Sequence, residues 1–482
     1  MKFPVTKTKI VCTLGPASQS KKVIKKLFLA GMNIARLNLA HDTLDYHRKT
    51  LHYIHEAEKE LGVTIPVLMD IPGPKIRIGR IENGPITLRK GQLLKLTTKK
   101  IAGNERIIPV EYEGLVQSVK KGSLIYLYDG FIQLRVLTII EDENEIICRV
   151  LIGGKIDSYK GLNLPKARIT LEPIREQDLE LLSFGLEEGV NIFGISFVEK
   201  AEDIIKVKEF ARRKGKNIYT VAKIEREEAV QNIQEILSVT DAIMVARGDL
   251  GVQVSIDKIP VLQKNLIAQA NKMSRPVITA TQMLVSMTDN IRPTRSEVTD
   301  VANAILDGTD ATMLSEETAV GKYPVEATRM MSNIAVSTEK QYRSFGSRSS
   351  LCDDLQASFR KEKPSVEDVI SLHTLESSQT FRAKYVLTPT ESGNTPRRIS
   401  RLKPFCWILA FTNKTEVARF LTFSYGVIPF LTPRAEFERH QDTIMFLKKH
   451  GLVKKGDYIV ITEGSVRKKV GGTDSLRIIQ VE

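Results

Sequence analysis

The sequence predicts an α/β protein: a (β/α)8 TIM barrel with an inserted all-β domain and a C-terminal α/β domain. Three observations predict this fold class. Eight short apolar runs alternate with amphipathic stretches of helix length, residues 73–161 interrupt that alternation, and a third region resumes it after a polar stretch near residue 350. The length of 482 residues agrees, because domains average about 100–200 residues each.

The eight apolar runs have the length of buried parallel strands. They are residues 8–12, 33–38, 65–69, 191–197, 218–224, 241–246, 276–280 and 311–314. Amphipathic stretches, expected as helices, include residues 201–214, 226–237, 257–273 and 324–340. Eight β/α units are typical of a closed barrel, although an open doubly wound sheet also alternates strands with helices.

The interrupting region reads as short strands separated by turn residues, among them Asn83-Gly84. Its expected strands include residues 86–88, 93–97, 123–128 and 146–151. In the C-terminal region, strands are expected at residues 385–388, 406–411, 426–430 and 457–462. A polar stretch over 344–364 is interpreted as a linker. We therefore expect barrel parts at 1–72 and 162–345, an inserted β-barrel lid domain at 73–161, and a regulatory and oligomerisation domain at 346–482.

Composition excludes several protein classes. The four cysteines lie far apart with no CxxC pair, which predicts neither a disulfide scaffold nor a zinc site and favours a reducing, cytoplasmic environment. No apolar run approaches the roughly 20 residues of a membrane helix, and none of signal-peptide length opens the chain. The net charge of +14 is spread thinly, so we expect anionic metabolites and no nucleic acid as partners.

Polar side chains and backbone groups concentrate where six of the expected barrel strands end. They include Arg36 and Asn38, Asp70, Lys223 and Glu225, Gly248 and Asp249, Thr281, and Ser315. Because barrel enzymes build their active sites at these strand ends, we expect one catalytic mouth.

These residue types suit phosphoryl transfer or enolate stabilisation. Glu225 and Asp249 offer the hard oxygen ligands that Mg²⁺ prefers, and Lys223 would meet charge on a transferring phosphoryl group. Backbone N–H groups around Gly248 could bind a carboxylate, while Thr281 and Ser315 could relay a proton. Neither GxxxxGK[ST] nor GxGxxG occurs in the chain, so a P-loop or Rossmann nucleotide site is not expected.

Long ordered motifs resemble the pyruvate kinase family over nearly the whole chain. They are TKIVCTLGPAS at 8–18, GMNIARLN at 31–38, KGLNLP at 160–165, AKIE at 222–225, MVARGDLG at 244–251, ATQML at 280–284 and PTRSEVTDVAN at 293–303. The resemblance implies a glycolytic enzyme that transfers phosphoryl from phosphoenolpyruvate to ADP, giving pyruvate and ATP.

The resemblance also implies residue roles. Glu225 and Asp249 would bind Mg²⁺ or Mn²⁺, and Lys223 and Arg36 would hold the phosphoryl group. Gly248, Asp249 and Thr281 would take the substrate carboxylate, with Thr281, Ser315 and water relaying the proton. Nucleotide contacts would come from Arg36, Asn38, His41, Arg77 and Lys166.

One departure from the family pattern concerns K⁺. Potassium-dependent members typically read Asn-Phe-Ser-His and Asp-Thr-Lys-Gly-Pro-Glu, whereas this chain has Ala40 and Ile71 in place of the two hydroxyl residues and Lys75 in place of the glutamate. An ammonium and K⁺ are both compact monovalent cations. We therefore expect Lys75, near Asn38 and Asp70, to replace K⁺, as in potassium-independent members.

The C-terminal domain carries a hydroxyl-rich loop before an expected helix. Its candidate residues are Thr388, Thr390, Ser392, Gly393, Asn394 and Thr395. By resemblance this loop would bind a phosphorylated allosteric effector, and the chain would form a homotetramer, although Glu391 disfavours a doubly charged ligand. The alternative is a domain used for oligomer contacts alone.

Two other functions remain compatible with the residues. A metal-dependent barrel lyase or decarboxylase of an oxo-acid could use the same carboxylates and lysine, although it would not need the inserted domain. A catalytically silent metabolite sensor or RNA-binding protein is disfavoured by the complete set of acid, base and metal residues and by the diffuse charge.

Overall fold

The chain opens with three strands and two helices in alternation, and the strands are buried at nearly every position. The computed structural model describes residues 3–128, 130–165, 172–341, 347–361, 363–433, 440–464 and 472–482. The first elements are β1 (Lys9–Thr13), α1 (Lys21–Ala30), β2 (Ile34–Asn38), α2 (Leu44–Leu61) and β3 (Val67–Ile71). Helix α2 begins where the Thr43 side chain accepts the N–H of Tyr46, and it ends at Gly62, which has a left-handed φ of 64°.

An all-β module follows β3, as predicted. Its elements are β4 (Ile86–Leu88), β5 (Leu93–Thr97), β6 (Ile107–Pro109), α3 (Leu115–Ser118), β7 (Leu124–Leu127), β8 (Ile132–Ile140), β9 (Glu145–Ile152), β10 (Gly154–Ile156) and β11 (Leu162–Asn163). Six strands form one sheet in the order β11-β7-β8-β9-β5-β6, and β10 pairs with β4. Side chains such as Leu94, Ile125 and Leu134 are fully buried here in a core separate from that of the barrel.

The chain then returns to the barrel and completes it. The elements are α4 (Glu176–Glu187), β12 (Ile192–Ile195), α5 (Ala201–Arg213), β13 (Tyr219–Ile224), α6 (Glu227–Gln231), α7 (Ile233–Val239), β14 (Ala242–Ala246), α8 (Arg247–Gln253), α9 (Ile259–Lys272), β15 (Val277–Ala280), α10 (Arg295–Leu306), β16 (Ala311–Leu314), α11 (Glu316–Ala319) and α12 (Pro324–Gln341), with 3₁₀ turns at Ile256–Lys258 and Val285–Thr288. The eight strands close in the order β1-β16-β15-β14-β13-β12-β3-β2, all parallel. Closure confirms the barrel and shows that the open-sheet alternative is wrong.

A five-stranded sheet with flanking helices forms the C-terminal region. Its elements are α13 (Ser347–Lys361), α14 (Val366–Thr380), β17 (Tyr385–Pro389), α15 (Asn394–Ser400), β18 (Trp407–Thr412), α16 (Thr415–Leu421), β19 (Val427–Leu431), α17 (His440–Lys449), β20 (Tyr458–Glu463) and β21 (Ser475–Gln480). The strand order is β19-β18-β17-β20-β21, with β21 antiparallel to β20. The third part of the predicted fold class, a C-terminal α/β domain, is confirmed.

The interpretation of residues 344–364 as a linker was wrong, because helix α13 occupies most of this stretch. Leu351, Leu355 and Phe359 recur at i, i+4 and i+8, and pack with Leu375 and Leu402. The polar composition hid this apolar stripe, which is typical of an amphipathic helix. The expected boundary between 345 and 346 lies outside the described residues.

The C-terminal region closes one end of the barrel. Phe420, in α16, and Phe423 pack against interior side chains of the barrel strands, and the Phe420 ring stacks on Tyr219 at 4.1 Å. Tyr219 is the first residue of β13, so the closed end is the one where strands begin. The opposite end, where strands finish, is left for the polar residues. None of the described helices is both long and apolar enough to cross a bilayer.

Candidate active site

One buried carboxylate joins two of the predicted cations at the barrel mouth. Asp70 Oδ2 accepts hydrogen bonds from the Arg36 guanidinium and from Lys223 Nζ, the latter at 3.2 Å. Arg36 also donates to Thr13 Oγ1 at 3.0 Å, and Lys223 donates to Ser196 Oγ at 2.7 Å. Strands β1, β2, β3 and β13 therefore converge on one cluster.

Charge pairing keeps this cluster ionised. Burial alone would raise the pKa of Asp70, but the neighbouring Arg36 and Lys223 lower the pKa of its carboxyl below the ordinary value. Burial would lower the pKa of Lys223, but Asp70 and Glu225 raise it to about 12. At neutral pH the site therefore presents a lysine ammonium and an arginine guanidinium on one shared carboxylate.

The two predicted metal ligands lie beside this cluster. Glu225 Oε1 is 2.8 Å from Lys223 Nζ, and its Oε2 accepts the N–H of Phe197 at 2.7 Å. Asp249 follows β14, in the first turn of α8, with its side chain 26% exposed. Burial raises the pKa of Glu225, and the nearby Asp249 raises it further, against the opposing effect of Lys223. A divalent cation between the two carboxylates would relieve that repulsion.

This donor set fits a hard cation completed by small molecules. Among the described residues, no three or more His, Cys, Asp or Glu side chains come together as a metal cluster. Two carboxylates alone match Mg²⁺, which usually takes one or two protein carboxylates and fills its remaining positions with water and substrate oxygens.

Thr281 and Gly248 meet across two strand ends. The N–H of Gly248 donates to Thr281 Oγ1 at 2.7 Å, and that hydroxyl donates to the Ala280 carbonyl at 2.6 Å. The segment around Gly248 was expected as a turn but forms the first turn of α8, since Arg247–Gln253 is helical. The N–H of Gly248 faces the end of β15, where it reaches the Thr281 hydroxyl.

Ser315 is positioned by a residue that the sequence analysis did not single out. The buried carboxylate of Glu317 accepts the N–H of Ser315 at 2.7 Å and that of Leu284 at 3.0 Å. It therefore ties the segments after β15 and β16 together. A sequence signal existed, since Glu317 lies in the short segment just after the end of β16, but an acidic residue there could equally have faced water.

The candidate nucleotide residues lie at the junction between the barrel and the all-β module. Asn38 Oδ1 accepts the N–H of Ala40 at 3.2 Å, and Arg77 donates to the Tyr159 carbonyl at 2.9 Å. Burial lowers the pKa of His41, and the positive charges of Arg77, Lys75 and Arg36 lower it further. The structure therefore brings His41 close to three cations. Lys166 lies outside the described residues.

Lys75 contacts a different carboxylate from the one expected. Its ammonium is 3.4 Å from Asp249 Oδ1, whereas the carboxylate of Asp70 is engaged by Arg36 and Lys223. The remaining oxygen of Asp70, Oδ1, is buried without a hydrogen-bond partner among the described residues. The positive charge of Lys75 nevertheless lies at the barrel mouth.

The candidate effector loop belongs to the C-terminal region, at the end of β17. Thr390 Oγ1 accepts the N–H of Gly393 at 2.9 Å, and Glu391 lies 3.4 Å from the ammonium of Lys414. Gly393 has a φ of 78° and its added Cβ would approach Leu421 at 3.1 Å, so glycine suits this position. The other candidate residues lie in or beside the same loop: Thr388 within β17, Ser392 in the turn, and Asn394 and Thr395 at the start of α15.

Sequence comparisons with known proteins identify the family that the sequence motifs resemble. Residues 5–328 match the family model for the pyruvate kinase barrel domain, and residues 368–479 match that for the pyruvate kinase alpha/beta domain. The chain is 47% identical to a pyruvate kinase of Thermococcus litoralis over the full length of both, and 40% identical to one of Staphylococcus aureus, covering 98% of this chain and 80% of that protein.

A solved structure agrees with these sequence matches. The crystal structure of a pyruvate kinase from Cryptosporidium parvum superposes with a TM-score of 0.89 at 35% identity, covering 99% of this chain and 97% of the other. The sequence and the fold of this chain therefore match those of pyruvate kinases along nearly its whole length, and the chain belongs to the pyruvate kinase family of phosphotransferases.

Proposed function

We propose that this chain transfers the phosphoryl group of phosphoenolpyruvate to ADP in glycolysis, giving pyruvate and ATP, and that it does so without K⁺. The observation that carries the proposal is the buried cluster of Arg36, Lys223 and Glu225 beside Asp249. Membership of the family supports the substrates and products.

Lys223 and Arg36 are the proposed phosphoryl-binding residues. Both cations are held on Asp70 before substrate arrives, so little reorganisation is needed to meet the charge on the three phosphoryl oxygens. Lys223 is only 11% exposed at its side chain, and the surrounding low dielectric strengthens its attraction for an anion.

Glu225 and Asp249 are the proposed ligands of the divalent cation, Mg²⁺ or Mn²⁺. When bound, this cation would supply Lewis-acid stabilisation of charge on the substrate oxygens. Glu225 is held in place by the N–H of Phe197 and by Lys223, which leaves Asp249 as the more exposed ligand of the pair.

Thr281, Gly248 and Ser315 are the proposed carboxylate and proton-relay residues. The N–H of Gly248 and the hydroxyl of Thr281 already bond each other, and a substrate carboxylate would exchange into that contact. The enolate left after phosphoryl transfer needs a proton at its methylene carbon. Thr281, Ser315 and a water would deliver it, since Glu317 fixes the backbone of Ser315.

Asn38, His41 and Arg77 are proposed to contact ADP from the junction with the lid. Arg77 belongs to the connection that leads into the β module, so the lid position and the nucleotide site would change together. Closure of the β module over the mouth would exclude water from the phosphoryl group.

The proposal that K⁺ is not required rests on Lys75. Its ammonium, 31% exposed and 3.4 Å from Asp249, puts a fixed monovalent charge at the mouth. In a coupled lactate-dehydrogenase assay with phosphoenolpyruvate, ADP and Mg²⁺, we expect the wild type to turn over in a buffer free of Na⁺ and K⁺. Lys75→Glu should lose activity by about a hundredfold in that buffer and recover part of it only with added K⁺.

Lys155→Glu is the matched control, because Lys155 is an exposed lysine of β10 in the same module. It should stay active without K⁺. Full activity of Lys75→Glu in K⁺-free buffer, or a wild type that turns over only with K⁺, would overturn this part of the proposal. Failure of the wild type in both buffers would overturn the proposed reaction.

The proposal also assigns an effector site to the C-terminal region and an assembly to the chain. We propose a phosphorylated effector at residues 388–395, supported by the pairing of Glu391 with Lys414, which offsets the acidic charge of the loop. We further propose a cytoplasmic homotetramer, and the division into barrel parts 1–72 and 162–345, lid 73–161 and C-terminal domain 346–482.

A further inference from the structure

The turn that carries Thr281 has an unusual backbone. Thr281 and Gln282 both have positive φ, 68° and 53° respectively. For a β-branched residue such as threonine this conformation is a rare outlier. It persists only where surrounding contacts hold it, and such residues concentrate at functional sites.

The contacts that hold this turn come from Arg247. Its Nη2 donates to the carbonyls of Thr281 at 2.6 Å and Gln282 at 3.4 Å, and its Nε donates to that of Ala280 at 3.3 Å. One guanidinium therefore contacts three consecutive carbonyls. Its side chain is only 9% exposed, which makes each of these bonds costly to lose.

Arg247 is itself held from the opposite side. Its Nη1 lies 2.8 Å from Asp300 Oδ1 and 2.7 Å from Oδ2, and 3.3 Å from Gln263 Oε1. Asp300 belongs to α10 and Gln263 to α9. The guanidinium thus bridges two outer helices to the turn after β15.

We propose that Arg247, held by Asp300, is a positioning residue that fixes the Thr281 hydroxyl for its role in catalysis. This inference rests on the proposed function of Thr281 as a ligand of the substrate carboxylate and a member of the proton relay. Fixing the carbonyls of Ala280 and Thr281 orients the hydroxyl between the N–H of Gly248 and the Ala280 carbonyl.

A lysine cannot replace the arginine here. The planar guanidinium presents five N–H donors in a fixed fork, whereas an ammonium is a compact charge that cannot reach three carbonyls and a carboxylate together. Asp300 offers a milder perturbation, because its side chain is 38% exposed and borders a cleft of about 530 Å³. Water in that cleft can replace the lost carboxylate.

The test measures kcat and KM for phosphoenolpyruvate in Arg247→Lys, Asp300→Ala, Thr281→Ala and the double variant Arg247→Lys/Thr281→Ala. A misplacement of about 1 Å can reduce the rate by roughly a hundredfold, and we expect a reduction of that order in kcat/KM for Arg247→Lys and a smaller one for Asp300→Ala. In the Thr281→Ala background, Arg247→Lys should have little further effect, because its consequence passes through the missing hydroxyl.

Arg275→Lys is the matched control, since Arg275 also donates to two backbone carbonyls, those of Leu237 and Ser238, at the other end of the barrel. It should lower the melting temperature without a comparable loss of kcat/KM. Equal losses of kcat/KM in Arg247→Lys and Arg275→Lys, or full additivity of Arg247→Lys with Thr281→Ala, would overturn the inference. If Arg247→Lys does not fold, Asp300→Ala replaces it in the comparison of kcat/KM with Arg275→Lys and in the double variant with Thr281→Ala. Wild-type turnover, measured first, tests the proposed reaction separately.

Discussion

Asp70 is the residue on which the arrangement of the two proposed phosphoryl-binding cations depends. Its Oδ2 accepts from both Arg36 and Lys223, and removing one partner from a buried ion pair is far more costly than the pair is worth. Its other oxygen lies against Gly194, where an added Cβ would approach Oδ1 to 2.7 Å. Glycine at 194 is therefore required for the carboxylate to occupy this position.

Gly194→Ala should accordingly inactivate the enzyme. The methyl group would force Asp70 to move, Arg36 and Lys223 would lose their shared acceptor, and overpacking would destabilise the fold by about 1–3 kcal/mol. Steady-state kinetics and urea unfolding check the two effects. Gly185→Ala introduces a similar clash, with Phe193, between a helix and the barrel. It should lower stability while folded protein keeps its kcat, and an active Gly194→Ala would contradict the argument.

The sequence predicted which residues lie in the candidate site better than it predicted which of their side chains contact each other. Lys223 is the last residue but one of β13, and Glu225, Asp249 and Thr281 follow strand ends. The topology of a barrel alone brings such positions together. The pairing of Asp70 with Lys223, the acceptor Glu317 and the role of Arg247 depend on which side chains meet across separate strands. That information is absent from spacing along the chain, and for this reason Lys75 was expected beside Asp70 and contacts Asp249.

At the scale of elements, the barrel strands were predictable because they are buried on both faces. Continuous apolar runs such as Ala242–Ala246 leave few other interpretations. Boundaries moved by one or two residues, and the helix expected over 226–237 is divided at Asn232, whose side chain donates to the Glu199 carbonyl. Helix α13 was missed because its apolar residues are sparse, so that composition outweighed the periodicity of Leu351, Leu355 and Phe359.

Leu355 is the most buried residue of α13 for which packing is described, at 5% exposure. Leu355→Ala should destabilise the C-terminal region by about 2–5 kcal/mol, since it removes the contact with Leu375 and Leu402 and leaves a cavity. Thermal unfolding followed by circular dichroism measures this change. Gln356→Ala, at the exposed neighbouring position, should lie within about 0.5 kcal/mol of the wild type. Equal stabilities of the two variants would mean that α13 does not pack as described.

At the scale of the whole molecule, the barrel and the C-terminal region meet around a buried lysine. Lys9 is the first residue of β1 and is 1% exposed, and its Nζ donates to the Val427 carbonyl of β19 at 2.7 Å. The ammonium also lies 5.6 Å from the ring centroid of Trp407. This contact joins the two regions at the end of the barrel where the strands begin, opposite the candidate active site.

The charged groups around Lys9 do not offset the free-energy cost of burying its positive charge. Glu339 accepts the backbone N–H groups of Lys7 and Thr8, and Asp310 pairs with Lys403 at 2.8 Å. Burial lowers the pKa of Lys9 to about 7, against the attraction of Glu339 and Asp310 and with a further reduction from Lys7. The unfolded chain keeps the ordinary lysine pKa of about 10.4.

Lys9 should therefore make stability rise with pH above neutrality. Between pH 7 and about 10.4 the unfolded chain holds a proton on Lys9 that the folded chain does not, so the free energy of unfolding increases across this window; below pH 7 both states are protonated and the contribution is constant. Lys9→Met removes the titration and adds only a pH-independent change from the lost bond to Val427. Its stability relative to the wild type should be highest at pH 6 and should fall steadily towards pH 10.

Denaturant unfolding at several pH values measures this difference, and the single tryptophan, Trp407, reports from the contact itself. Lys7→Met is the comparison variant, because it removes a second ammonium that faces Trp407, at 5.1 Å, from a less buried position but keeps Lys9. It should keep most of the rise in stability with pH, and the rise should begin at a higher pH because Lys7 contributes to the lowered pKa of Lys9. A difference between Lys9→Met and the wild type that stays constant from pH 6 to 10 would show that Lys9 remains protonated throughout, and that the two regions meet around a permanent charge.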